Sequence, residues 1–149
     1  MDFRSNRKCY KKGDYDSAFE YFAKAAELGD LEAHYKLGCM YRLGDGVEKD
    51  EEKAVHHWEK AAIGGHPYAR HNLGCVVESR NGAMKHFIIA AKLGYEDSMK
   101  VLWGDYKHGD ITKEDLEATL RTHKAAIDAT KSAQRDAAEA YYRRVSGLP

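Results

Sequence analysis

Residues 33–65, AHYKLGCMYRLGDGVEKDEEKAVHHWEKAAIGG, recur along the chain, and that recurrence limits what the chain can fold into. A shift of 36 residues carries Ala33, Leu37, Gly38 and Cys39 onto Ala69, Leu73, Gly74 and Cys75. After a seven-residue shortfall Gly65 then returns as Gly94. The same shift backwards lays Lys60, Ala61 and Ala62 on Lys24, Ala25 and Ala26, with Gly65 on Gly29. A period of this size marks a stacked array in which each unit buries its apolar face only against its neighbours.

Within each period the apolar residues fall at helical spacing. Asp14 is placed to cap a helix starting at Tyr15, whose stripe is Ala18, Phe19, Phe22, Ala25 and Ala26, ending at Gly29. Asp30 caps the next helix, with Ala33, Leu37, Gly38 and Tyr41 on one side. Ala33 and Gly38 are small enough for a neighbouring helix to approach closely, while Leu37 and Tyr41 fill the space between units. The loop Gly44-Asp45-Gly46 is no phosphate cradle: no strand precedes it and an acid lies between its glycines. Asp50 caps the helix from Glu51, which buries Ala54, Trp58, Ala61 and Ala62.

His66 and Pro67 open the following unit, where proline at the first helical position loses no hydrogen bond. Val77 stands where tyrosine is expected, and residues 78–82 read as a turn before a helix carrying Ala83, Phe87, Ala90 and Ala91. In residues 98–109, Ser98, Leu102, Tyr106 and Gly109 keep the spacing, with Trp103 in place of the small glycine. Thr112 and Asp115 resemble a capping box. A helix to about Thr130 presents Leu116, Leu120, His123, Ala126 and Ile127 on one face. A second, over 132–145, turns Ala133, Ala137, Ala140 and Tyr141 inward, and the two form a terminal cap.

The series Ala33, Leu37-Gly38, Tyr41, Gly44, Gly46-Val47, Asp50, Lys53-Ala54, Trp58, Lys60-Ala61-Ala62, Gly65 resembles the Sel1-like repeat, a relative of the tetratricopeptide repeat. The resemblance implies an all-α fold: a right-handed α-solenoid of stacked helix-turn-helix repeats closed by a C-terminal capping helix pair. A single domain, 1–149, is expected. It holds a partial unit 1–29, a full unit 30–65, a shortened unit 66–94, and a derived unit with cap over 95–149.

Composition narrows the function. Lysine plus arginine and aspartate plus glutamate both number 24, so no global charge points to nucleic acid or a membrane surface. The start, MDFRSNRKCYKK, has no hydrophobic signal segment, and three cysteines read as reduced thiols rather than a disulfide framework. A cytoplasmic location is the expectation. Arg4, Arg7, Lys8, Lys11 and Lys12 against Asp2 give residues 1–12 a basic face. That face is a solvated surface, a lip for an acidic partner or a self-association surface, or else the chain continues upstream.

No catalytic constellation emerges. His56 and His57 point about 100° apart on a helix and suit no shared ion. His57 and His86 hold equivalent places after Ala54 and Ala83, which points to packing or hydrogen bonding. His34 and His71 have no ligand-spaced partner, so neither metal nor cofactor is expected. Cys39 and Cys75 lie one period apart and read as small, partly buried residues. Tyr141, Tyr142, Arg143 and Arg144 belong to a cap rather than a nucleic-acid strip.

The expected function is that of a non-catalytic scaffold or adaptor binding a partner protein or peptide on a concave face. With Leu37, Gly38 and Tyr41 packed inward, the helical wheel turns Tyr35, Cys39 and Arg42 to that face. Successive units add His71, Cys75 and Glu78, then Lys100 and Lys107, with Glu32 and Tyr68 on the rim. Two alternatives stand: a small thiol- or histidine-dependent hydrolase, and a substrate-recruiting fragment of a ubiquitin-ligase-type protein. Some relatives of the family carry cysteine pairs in every unit and a β-lactamase attribution, and this chain departs from that pattern.

Overall fold

The structure, a computed structural model, describes residues 14–146. Among them are seven helices and no strand: α1 (Tyr15–Glu27), α2 (Leu31–Leu43), α3 (Glu51–Ile63), α4 (Pro67–Val76), α5 (Arg80–Lys92), α6 (Glu96–His108) and α7 (Lys113–Ser146). The basic segment 1–12, with its lip and self-association readings, lies outside the described residues. The chain divides into two compact units, Met1–Glu78 and Ser79–Pro149.

In the first unit α2 packs against α1 and α3, and α3 against α4. Ala26, Ala33 and Leu37 form one buried cluster, closed by Phe19, Phe22, Ala23 and Ala25. Trp58, Ala61, Ala62, Ala69 and Leu73 form another, with Tyr35, Cys39, Val55 and Val76 against it. The caps are those the sequence implies at α2 and α3: the carboxylates of Asp30 and Asp50 accept from the Ala33 and Lys53 amides at 2.7 and 3.0 Å. Asp14 differs. Its backbone is already helical (φ −96°, ψ −10°), so its carboxylate makes no cap bond, and its carbonyl accepts from Ala18 N–H instead.

Two glycines fix how closely these elements meet. A Cβ on Gly38 would stand 2.4 Å from the Trp58 indole and 3.0 Å from the Ala54 carbonyl oxygen. Gly46 has φ +69°, and a Cβ there would lie 2.5 Å from the Tyr15 carbonyl oxygen, so its loop seats directly on the start of α1.

In the second unit α5, α6 and α7 surround Phe87, Ala91, Met99, Leu102, Ile111 and Leu116. Three expectations are corrected here. The stretch 78–82 is not all turn, because Ser79 Oγ accepts from Gly82 N–H (3.3 Å) and starts α5 at Arg80. The C-terminal helix pair is one helix of 34 residues. No glycine or proline interrupts it, and the Thr122 and Thr130 hydroxyls donate back to the Ala118 and Ala126 carbonyls rather than capping a new start. The inward face predicted for Ala133, Ala137, Ala140 and Tyr141 is exposed, Tyr141 to 61%. What anchors α7 is its first half: Leu116 and Thr119 are buried, and the His123 Nδ1–H donates to the Ala91 carbonyl on α5 (2.7 Å). At its start the Thr112–Asp115 box forms, with Asp115 N–H donating to the Thr112 hydroxyl (3.1 Å).

Candidate functional site

The first unit presents an open depression of about 310 Å³ bounded by Glu32, Tyr35, Lys36 and Tyr68. Glu32, Tyr35 and Lys36 share the N-terminal half of α2, one helical turn bringing Glu32 beside Lys36 (3.6 Å). Tyr68 enters from α4, and His66, one residue before that helix, ties the two together. The His66 Nε2–H donates to Glu32 (2.8 Å), while its Nδ1 accepts from the Ala69 amide (3.3 Å) as the α4 cap. Those two bonds assign the neutral Nε2–H tautomer. The imidazole also stacks on Tyr35 (4.7 Å between centroids, 20°), and Tyr68 leans on both rings at 5.8 and 5.7 Å. Tyr68 remains 46% exposed. The result is an aromatic surface with one carboxylate and one ammonium at its edge.

The residues assigned to a binding face are distributed differently. Tyr35 is half-buried and lines the depression, as do Glu32 and Tyr68. Cys39 turns its side chain onto the Trp58 cluster, where Asn72 Nδ2 lies 3.9 Å from its sulfur, and burial pushes its thiol above the ordinary value. Arg42 pairs with Glu51 across the loop (3.1 Å). His71 is fully buried, at 0% exposure, and offers nothing to a partner. His71 took its expected place from Tyr35 one period earlier, yet on α4 Ala69, His71, Asn72, Leu73 and Gly74 are all buried and cover most of that helix. Cys75 and Glu78 are at the surface, and partial burial raises the Cys75 thiol also. Lys100 and Lys107 are exposed on α6 in the second unit. Asp97 and Glu96 flank Lys100 and hold its ammonium above the usual lysine range. Trp103, 43% exposed, stands edge-on to Tyr106.

A second feature of the first unit escaped sequence inspection. His34 and His57 face each other Nδ1 to Nδ1 at 2.9 Å, one donating and the other accepting. Tyr41 stacks on His57 (5.6 Å, 10°), and Phe19 meets Tyr41 edge-on. Burial, then the neighbouring His34, His56 and Lys60, drives His57 down to about 4. His34 is lowered for the same reasons, burial first. The signal was present as an expected hydrogen bond for His57, but its partner, 23 residues away on α2, follows from packing rather than spacing. Among the described residues no group of three or more histidine, cysteine or acidic side chains is arranged to hold a metal ion. No helix there is long and apolar enough to cross a membrane.

Paired helices with small residues at their contacts and capped, glycine-ended turns define a helical-hairpin repeat protein. The Sel1 repeat model matches residues 7–30, 31–66 and 67–95, and the chain belongs to that family. It is 47% identical over 45 residues to DAP3-binding cell death enhancer 1 of Rattus norvegicus, covering 30% of this chain and 9% of that protein. It is 46% identical over 44 residues to an ERAD-associated E3 ubiquitin-protein ligase component of Arabidopsis thaliana, covering 30% and 7%. The chain thus spans less than a tenth of either relative. A crystal structure of a Sel1 repeat protein from Oxalobacter formigenes superposes with a TM-score of 0.62 at 31% identity, over 73% of this chain and 48% of that one.

Proposed function

We propose that the chain is a non-catalytic protein-interaction module that holds a partner protein on the face carrying Tyr35 and Tyr68. The observation behind this is the aromatic depression itself, built where two successive repeats meet and left open by both. Aromatic side chains of this kind supply large contact area at low entropic cost, which is why they dominate interface energetics. Sel1 repeat proteins as a class serve as interaction scaffolds, and one relative is named as a ligase component and another for binding DAP3. Assembly of a protein complex is the role this suggests here.

The hydrolase alternative has less behind it. A nucleophilic cysteine needs a depressed thiol pKa, and the environments of Cys39 and Cys75 move theirs upward. A cytoplasmic, reducing location is part of the proposal and is tested by fractionation. For the interface, the test is affinity capture with the intact chain and with Tyr35→Ala/Tyr68→Ala, after circular dichroism shows equal helicity. Loss of a defined partner set from the double variant is the expected result. Retention of every partner overturns the assignment of this face.

A further inference from the structure

The depression carries information about what it accepts. Lys36 already places an ammonium 5.5 Å from the centroid of the Tyr35 ring and 3.6 Å from a Glu32 oxygen. A ring face and a carboxylate are therefore arranged around a cation, and the cation in place comes from the same helix. Its hold is weak. Glu32 is exposed and Lys36 partly so (56% and 28% of the side chain), and their one-turn spacing makes a surface pair that water and salt loosen readily. Glu32 in contrast is fixed from behind, because its other oxygen accepts from His66, whose ring is itself stacked on Tyr35 and locked by the α4 cap. The receptor is held and the resident cation is not.

We propose that this depression receives an arginine side chain of the partner protein, which displaces Lys36 from Tyr35 and Glu32. A guanidinium suits the surroundings better than an ammonium. It is planar, stacks on tyrosine faces such as those of Tyr35 and Tyr68, is more weakly hydrated, and offers a fork of N–H donors to a carboxylate. Glu32 supplies the complementary charge, and it keeps a free-standing oxygen toward the depression once Lys36 swings away. At about 310 Å³ the space lies at the lower end of ligand-site volumes, the scale of one side chain rather than a folded element. This proposal rests on the reading of the chain as an interaction module and specifies the partner chemistry.

The test is a nuclear magnetic resonance titration of the full chain with three capped tripeptides, Gly-X-Gly, where X is arginine, citrulline or glutamate. Citrulline keeps the shape of arginine and removes the charge. The arginine peptide is expected to shift the Glu32, Tyr35 and Tyr68 signals saturably and to bind at least about fivefold more tightly than the citrulline peptide. Glu32→Gln retains an acceptor for His66 and is expected to abolish that preference, while Lys36→Ala is expected to strengthen arginine binding. Equal binding of arginine and citrulline, preference for glutamate, or weaker binding to Lys36→Ala overturns the proposal. So does saturation without movement of the Tyr35 and Tyr68 signals, or the absence of any binding. If arginine binding fails while capture remains sensitive to Tyr35→Ala/Tyr68→Ala, the arginine assignment falls and the interaction reading survives. If capture is insensitive as well, both fall.

Discussion

At the scale of single residues the first unit depends on a side chain that is missing. Trp58 is fully buried and its indole lies where a Gly38 Cβ would be. Neither the indole nor the Ala54 carbonyl behind it belongs to a flexible chain end, so a methyl group there must push α2 and α3 apart. Gly38→Ala should therefore lower stability by about 1–2 kcal/mol even though alanine is the better helix former, because an overpacking cost of up to about 3 kcal/mol outweighs the propensity gain of about 1 kcal/mol. Urea unfolding checks this, and an unchanged midpoint would show that α2 and α3 give way freely. His57 supports a prediction of a different kind. Its folded pKa, about 4, lies below its ordinary 6.5, so between these values the unfolded chain binds a proton that the folded chain refuses. Its contribution is then fully present above about pH 6.5, declines as pH falls, and is gone below about pH 4. With both imidazoles protonated, two N–H groups would face each other across 2.9 Å. His57→Gln should flatten the dependence of urea midpoint on pH between 7 and 4.5; an identical slope in variant and parent would refute the coupling.

At the scale of elements, helix α7 shows how length and burial separate. Its 34 residues extend roughly 50 Å, but residues 128–141 are all exposed, and the buried anchors end with His123. Local propensity maintains the second half: alanines, the Arg143–Glu139 pair at one-turn spacing, and the absence of any breaker. Ala137→Pro should then lower the helical signal at 222 nm while leaving the core's free energy of unfolding in urea within about 0.5 kcal/mol of the parent. A cooperative loss of stability would instead mean that the second half of α7 carries tertiary structure. The expected break near Thr130 failed because threonine and serine read equally well as caps and as residues bonded back to the preceding turn. Sequence alone does not choose between these. At α5 the error ran the other way, since Ser79 is a real cap and Asn81-Gly82 merely lie in the first turn that it opens.

At the scale of the whole molecule, the legible part was what the repeat dictates. Periodic alanines, the small Gly38 and the caps at Asp30 and Asp50 are local or translational features, and the helices from α1 to α4 follow from them. The candidate site was legible only in fragments. Tyr35 could be placed on a binding face and Glu32 and Tyr68 on its rim, but His66 was seen only as the opener of α4, and its bond to Glu32 spans 34 residues. His71 was misplaced because a helical wheel knows one packing partner and α4 is covered on more than one side. The same logic bears on chemistry. The helical wheel turned Cys39 toward the groove while its period read it as a small, partly buried residue, and its burial against Trp58 makes its reactivity a measure of folding rather than of catalysis. In a Cys9→Ser/Cys75→Ser background, labelling of Cys39 at pH 7 should run at least about tenfold slower than that of an unstructured thiol. The rate should climb with urea in step with global unfolding, since the thiol becomes available when α2 leaves α3. Fast labelling in the absence of urea would mean that the thiolate is both exposed and stabilised, and would favour the thiol-enzyme alternative.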